Sequence, residues 1–91
     1  MVIIMRIFDL RQKEVINQAD CKVLGCVVDV EIDINTGCVL AIIIPGPPKL
    51  CGLFCRDTEF VIPFKCIRQI GDDIILVQVR EEDVLRKIVI I

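Results

Sequence analysis

The chain has 91 residues, of which 55% are hydrophobic and 26% charged, and its formal net charge is −2. This length suits one domain spanning residues 1–91, and the apolar content is too high for a disordered chain. The absence of histidine excludes Ser-His-Asp catalysis and histidine metal ligands, and the balanced charge differs from that of a strongly basic nucleic-acid-binding domain.

The N-terminal part of the chain contains one predicted strand. The apolar start, residues 1–5, is too short for a signal peptide or a membrane-spanning helix, because Arg6 and Asp9 interrupt it. We therefore expect a cytoplasmic protein that makes no contact with a membrane. Residues 14–17 suit a first strand, and a turn is expected at residues 20–22.

Residues 27–34 give the clearest strand signal, because apolar and acidic side chains alternate along them. A period of two predicts a half-buried antiparallel strand. The predicted core face is formed by Val28, Val30, Ile32 and Ile34, and the predicted solvent face by Asp29, Glu31 and Asp33. The following Asn-Thr-Gly, residues 35–37, predicts a tight turn.

Residues 38–44 are apolar on both faces and therefore predict a central strand, which the Pro-Gly-Pro-Pro sequence of residues 45–48 ends. A loop follows at residues 49–58 with three large apolar side chains, Leu50, Leu53 and Phe54. Two interpretations of this loop stay open. It either presents those side chains to a protein partner or folds back over an open end of the domain.

The C-terminal half predicts two more strands. They cover residues 59–63 and 74–79, and a short turn or single helical turn at residues 64–70 leads into an extended piece between them. Residues 71–73 predict a tight turn, and residues 81–87 favour helix. The predicted core includes Ile42, Ile44, Val61, Ile74 and Leu76. Short strands joined by hairpins, without a long helix, indicate a mainly β protein and a small antiparallel barrel.

An ordered set of short motifs resembles the PRC-barrel domain family. In the first half these are Leu-Gly at 24–25, Asp-Val-Glu-Ile-Asp at 29–33, Thr-Gly at 36–37 and Ile-Ile-Ile-Pro-Gly at 42–46. In the second half they are Phe-Val-Ile-Pro at 60–63, Ile at 67, Ile-Gly at 70–71 and Asp-Ile-Ile-Leu-Val at 73–77. The spacing is most similar to that of the small stand-alone PRC-barrel proteins associated with sporulation in spore-forming bacteria. The resemblance is strongest over residues 5–79, and residues 80–91 are left as a short charged tail.

The resemblance implies a six-stranded β-barrel that serves as a non-catalytic docking module. The wider family includes the cytoplasmic domain of a photosynthetic reaction-centre subunit and the C-terminal domain of a ribosome maturation factor. No catalytic residues are shared across this family, so the resemblance implies that the protein is not an enzyme.

Six cysteines are the strongest alternative signal. The candidate metal ligands are Cys21 and Cys26, with four residues between them, and Cys51 and Cys55, with three residues between them; Cys38 and Cys66 are further candidates. Zinc knuckles commonly use a two-residue spacing and often a histidine, and this chain has neither. We therefore expect reduced thiols, no metal and no other cofactor.

The sequence thus predicts a protein-interaction module, sporulation-related as the resemblance implies, with an unknown protein partner and a possible homodimer or higher homo-oligomer. The apolar termini, residues 1–4 and 87–91, and the loop candidates Leu50, Leu53 and Phe54 motivate the dimer. The alternatives are a cysteine-based metal or redox protein and a ribosome-associated or RNA-processing adaptor. Direct nucleic-acid contact is not expected, because the chain has no Tyr or Trp for base stacking.

Overall fold

The computed structural model describes residues 4–46 and 58–87. In chain order the elements are α1 (Ile7–Arg11), β1 (Glu14–Asn17), β2 (Lys22–Cys26), β3 (Asp29–Ile32), β4 (Val39–Pro45), β5 (Thr58–Pro63), a 3-10 turn (Phe64–Cys66), β6 (Ile67–Ile70), β7 (Ile74–Val77), α2 (Glu81–Val84) and β8 (Leu85–Lys87).

The eight strands form two four-stranded sheets. The first sheet has the order β2-β1-β7-β6, and the second has the order β3-β4-β5-β8. Every pair within the sheets is antiparallel except β1 with β7, which run parallel with Glu14 opposite Ile74. The first sheet therefore joins a strand near the N-terminus to one near the C-terminus.

The inner faces of the sheets share one hydrophobic core. From the strands, this core contains Val15, Ile42, Ile44, Phe60, Ile62, Ile75 and Val77, and from other segments Leu10, Val27, Val79 and Val84. Ala41, Ile43 and Val61 are also buried but lie outside that cluster. Because side chains alternate along a strand, these three residues belong to the opposite, outer face of the second sheet.

The mainly β architecture is confirmed, but the predicted closed six-stranded antiparallel barrel is wrong. Eight strands lie in two sheets, and one strand pair is parallel. Part of the predicted charged tail is ordered structure, because α2 supplies the buried Val84 and β8 pairs with β5. Strand β8 was not predicted from the sequence, because its three residues, Leu-Arg-Lys, show no alternation of apolar and polar side chains that is typical of a strand.

The predicted hairpin around residues 35–37 is confirmed. The amide of Gly37 donates to the carbonyl of Asp33 at 2.7 Å, and the amide of Asp33 donates to the carbonyl of Cys38 at 2.8 Å. Gly37 has a φ of +76°, the left-handed conformation that glycine adopts without steric cost. The strand that follows is central, as predicted, because β4 pairs with both β3 and β5.

The predicted faces of β3 are only partly correct. Asp29 and Glu31 are exposed as expected, but Val28 and Ile32 are 47% and 48% exposed although they were assigned to the core. Val30 and Asp33 are half-buried, and Ile34 is exposed in the hairpin turn. Two features explain the difference: β3 is an edge strand, and the register of its pairing with β4 shifts between Glu31 and Ile32. Just before β3, Val27 is buried and Val28 is not.

The predicted core residues of β4 and β5 are confirmed, since Ile42, Ile44 and Val61 are buried. The predicted core residues of β7, Ile74 and Leu76, are wrong, because each lies one position before a residue that is fully buried. Ile75 and Val77 are fully buried, whereas Ile74 and Leu76 are half-buried. Four consecutive apolar residues contain no alternation from which the inner face could be predicted.

Two buried polar side chains fix β1 at both of its ends. Before β1, the ammonium group of Lys13 donates to the carbonyls of Gly71 and Asp72 in the β6–β7 turn, at 2.7 Å each. At its other end, the side-chain amide of Asn17 donates to the carbonyl of Val79 at 2.9 Å. These contacts help to hold β1 beside β7 in the parallel pair.

Candidate docking groove

A short N-terminal helix carries apolar side chains that the core does not cover. The helix α1 begins with the amide of Arg6 donating to the Asp9 carboxylate at 3.1 Å. This contact satisfies one amide that has no partner within the helix. Leu10 points into the core, whereas Ile7 and Phe8 are 48% and 68% exposed.

Of these two exposed side chains, Ile7 borders an apolar groove of about 150 Å³. We call it the docking groove. It is lined by Met5, Arg6, Ile7, Leu10, Val30, Val39, Phe64 and Ile70. The lining therefore comes from α1 and the residues just before it, β3, β4, the 3-10 turn and β6, and among the described lining residues Arg6 is the one that is charged.

The size of the docking groove decides what it can hold. Small-molecule sites usually enclose about 300–1,000 Å³, with several polar groups that orient the ligand. A volume of about 150 Å³ with a single charged residue is closer to the space that one or two apolar side chains occupy. Phe64 and Met5 are themselves partly exposed at its border. The groove is thus suited to an apolar side chain of another protein.

A second, larger and open depression of about 600 Å³ lies beside α2. It is lined by Ala19, Pro63, Lys65, Cys66, Gln78, Val79, Arg80, Asp83 and Val84. Arg80, one of its charged residues, pairs with the lining residue Asp83 and with Glu82, which lies outside the lining. The guanidinium of Arg80 lies 2.9 Å from the Glu82 carboxylate and 3.8 Å from the Asp83 carboxylate.

These ion pairs change proton affinities at the surface. The hydrogen bond to Glu82, followed by the negative charge of Asp83, raises the pKa of Arg80. A hydrogen bond from its own backbone amide, followed by that from Arg80, lowers the pKa of Glu82. Both side chains are largely exposed, so the ion pair contributes little to stability.

The four described cysteines are free thiols in separate local environments. Cys21 lies in the β1–β2 turn with a positive φ of 58°, and Cys26 ends β2 opposite Glu14. Cys38 is exposed next to the β3–β4 turn, and Cys66 is half-buried against the core. Within residues 4–46 and 58–87, no three Cys, Asp or Glu side chains converge as a metal site requires.

Several predicted site residues lie outside the described part of the chain. These are the metal candidates Cys51 and Cys55 and the partner-binding candidates Leu50, Leu53 and Phe54. The docking groove was missed by sequence reasoning, because its lining residues are scattered from residue 5 to residue 70. One available signal was the apolar spacing of Phe64, Ile67 and Ile70, whose first and last members line it.

The described residues form a small two-sheet β protein with an apolar groove at its surface. Residues 3–84 match the family described as PRC-barrel domain, and the chain belongs to this family. It is also 40% identical over 75 residues to a protein of Bacillus subtilis (strain 168) named "Probable sporulation protein YlmC". That alignment covers 82% of this chain and 93% of the Bacillus protein. The family resemblance seen in the sequence is confirmed.

Among the described residues, no helix has the length and apolar character needed to span a bilayer.

Proposed function

We propose that this protein is a non-catalytic interaction module that acts in sporulation by binding another protein through the docking groove. Similarity over most of the chain to the probable sporulation protein YlmC supports the proposed role in sporulation. The main observation that supports binding to a protein partner is the apolar groove bordered by Ile7 and Phe64. The proposal includes a cytoplasmic location and no catalytic activity.

The composition of the groove specifies the partner chemistry. Two large apolar side chains at its border, Ile7 and Phe64, are 48% and 42% exposed, so covering them removes apolar surface from water. Arg6 supplies the one positive charge of the lining. The expected partner segment therefore carries a large apolar side chain followed or preceded by an acidic residue.

The proposed function can be tested with three forms of the full chain. Wild type, Ile7→Glu and a matched control, Val23→Glu, are each coupled to a resin and exposed to extract from sporulating Bacillus subtilis cells. Val23 is similarly exposed, at 51%, but lies on β2 and does not line the groove. A carboxylate at position 7 places a charge in an apolar contact, so Ile7→Glu should lose the partner.

Retention of the same protein by wild type and Val23→Glu, and its loss with Ile7→Glu, would support the proposal. The affinity of that purified protein should then fall at least about tenfold with Ile7→Glu, which corresponds to about 1.4 kcal/mol. Equal binding by all three forms, or no reproducible binding, would exclude the groove as the contact. Elemental analysis of the reduced protein tests the alternative, since stoichiometric zinc or iron would favour the cysteine-based function.

A further inference from the structure

The two edges of the second sheet carry opposite charges. Among the strands of residues 4–46 and 58–87, β3 forms one edge, with the exposed carboxylates of Asp29 and Glu31, and β8 forms the other, with the exposed guanidinium of Arg86. Edge strands present unpaired backbone groups that can pair with a strand of another molecule. Complementary charge on two such edges selects which edges meet.

The charged side chains also lie on the same face of this sheet. Asp29 is opposite Ile43, and Glu31 is opposite Ala41, both on the outer face of β4. Arg86 is opposite Glu59, which pairs with Pro45 on that same outer face. If the sheet continued into a neighbouring copy, Arg86 would therefore lie on the same side as the carboxylates of the next β3.

The inner faces of the two edges match as well. Leu85 is opposite Phe60, a core residue, and is 40% exposed at the β8 edge. On β3, Val30 is opposite the core residue Ile42, and its neighbour Val28 is 47% exposed. Any register that places Arg86 opposite Asp29 or Glu31 thus also places Leu85 opposite an apolar residue, because side chains alternate on both strands.

The strand directions permit this contact without rotating one copy against the next. Three successive antiparallel pairs lead from β3 to β8, so β8 runs opposite to β3. A second copy placed beside the first in the same orientation would present its β3 antiparallel to β8. Antiparallel pairing across this junction would continue the hydrogen-bond pattern already present within the sheet.

We propose that copies of this protein associate head to tail, with β8 of one copy pairing with β3 of the next and Arg86 contacting Asp29 or Glu31. Like-with-like pairing is disfavoured, since two β3 edges would oppose carboxylates and two β8 edges would oppose guanidinium groups. A contact between two different surfaces does not close after two copies, so the product is a ring or an open chain of three or more copies rather than a dimer. The docking groove would then be repeated along the assembly.

The association is weak and depends on concentration and salt. β8 has three residues and β3 has four, so the area buried where the two strands pair is much smaller than the roughly 1,600 Å² of a standard interface. The charge contacts are exposed, and about 1 M salt screens them within about 3 Å. A competing contact exists in the single copy, because the Asp29 carboxylate accepts a hydrogen bond from the Val30 amide at 2.8 Å.

Sedimentation velocity of the full chain from low to high micromolar concentration tests this proposal. Wild type should form species larger than a dimer as concentration rises, and fewer of them at high salt. Arg86→Glu should weaken association at least about tenfold, because it replaces attraction with repulsion at the junction. The matched control is Arg68→Glu on β6, an exposed residue of the other sheet, which makes the same change in net charge and should leave association unchanged.

A mixing experiment distinguishes head-to-tail association from a symmetric dimer. Asp29→Lys/Glu31→Lys gives the opposite edge the same charge as Arg86, so this variant alone should also stay monomeric. Mixed with Arg86→Glu, it should form large species again, because every junction between alternating copies is then complementary. A monomeric wild type at high micromolar concentration, a mass that stops at two copies, or no recovery in the mixture would overturn the proposal. Circular dichroism and thermal unfolding check that each variant is folded.

Discussion

Asn17 is predicted to be among the most important polar residues for stability, and the prediction can be worked out from its contacts. The side chain is 2% exposed and ends β1. Its amide nitrogen donates to the carbonyl of Val79 at 2.9 Å, while its oxygen accepts from the amides of Ala19 at 3.2 Å and Val79 at 3.4 Å. One side chain therefore satisfies three backbone groups, one in the adjacent turn at Ala19 and two at Val79, which is distant in the chain.

Replacing Asn17 with alanine removes these hydrogen bonds and leaves buried backbone groups of Val79 without a partner. A net hydrogen bond contributes about 1 kcal/mol, and an orphaned buried group costs about 1–3 kcal/mol. The free energy of unfolding should therefore fall by about 2–4 kcal/mol in Asn17→Ala. Asn17→Asp should be worse at pH 7 than at pH 4, because burial raises the pKa of the introduced carboxyl and ionisation then opposes folding.

The assay is urea unfolding followed by far-UV circular dichroism, since the chain has no Trp or Tyr for fluorescence. The neighbouring Gln18 is exposed, so Gln18→Ala is the matched control and should change stability by less than about 0.5 kcal/mol. A loss below about 1 kcal/mol in Asn17→Ala would show that the three contacts do not form the buried connection described here.

Two further predictions concern other polar contacts. Lys13→Met should lower the free energy of unfolding by about 2–3 kcal/mol, because two turn carbonyls lose a charged donor, whereas Gln12→Met at an exposed position should change it little; equal losses in urea unfolding would contradict this reasoning. In Arg80→Met, the pKa of Glu82 measured by NMR titration should rise part of the way towards its usual value, since the backbone hydrogen bond remains. A lowered carboxyl pKa stabilises the fold above the usual pKa and loses this effect as pH falls through the folded value, so the two proteins should become equally stable in acid. An unchanged Glu82 pKa would show that the ion pair does not form in solution.

The sequence was most informative where structure depends on residues close together in the chain. The alternation around Asp29 and Glu31, together with Gly37 in the turn, was sufficient for the β3–β4 hairpin, because an antiparallel hairpin needs only neighbouring strands and a suitable turn. The apolar run before Pro45 likewise indicated a central strand. The ordered motifs were sufficient to identify the family.

The candidate site was predicted less well. Sequence reasoning placed partner contacts at Leu50, Leu53 and Phe54, which lie outside the described residues and stay a prediction. The docking groove instead joins side chains such as Ile7 and Phe64, which are distant in the chain and belong to no common motif. No local pattern marks residues that become neighbours only after the sheets pack.

Only the tertiary structure decided the strand neighbours and the exposed edges. The parallel pairing of β1 with β7 depends on residues about 60 positions apart and on the contacts of Lys13 and Asn17 at the two ends of β1. Val28 has the strand pattern of a core residue, yet it lies just before β3 and is exposed, whereas its neighbour Val27 is buried. Local sequence determines whether a residue suits a strand, whereas long-range packing determines which strands lie beside it and therefore which of its surfaces remains open.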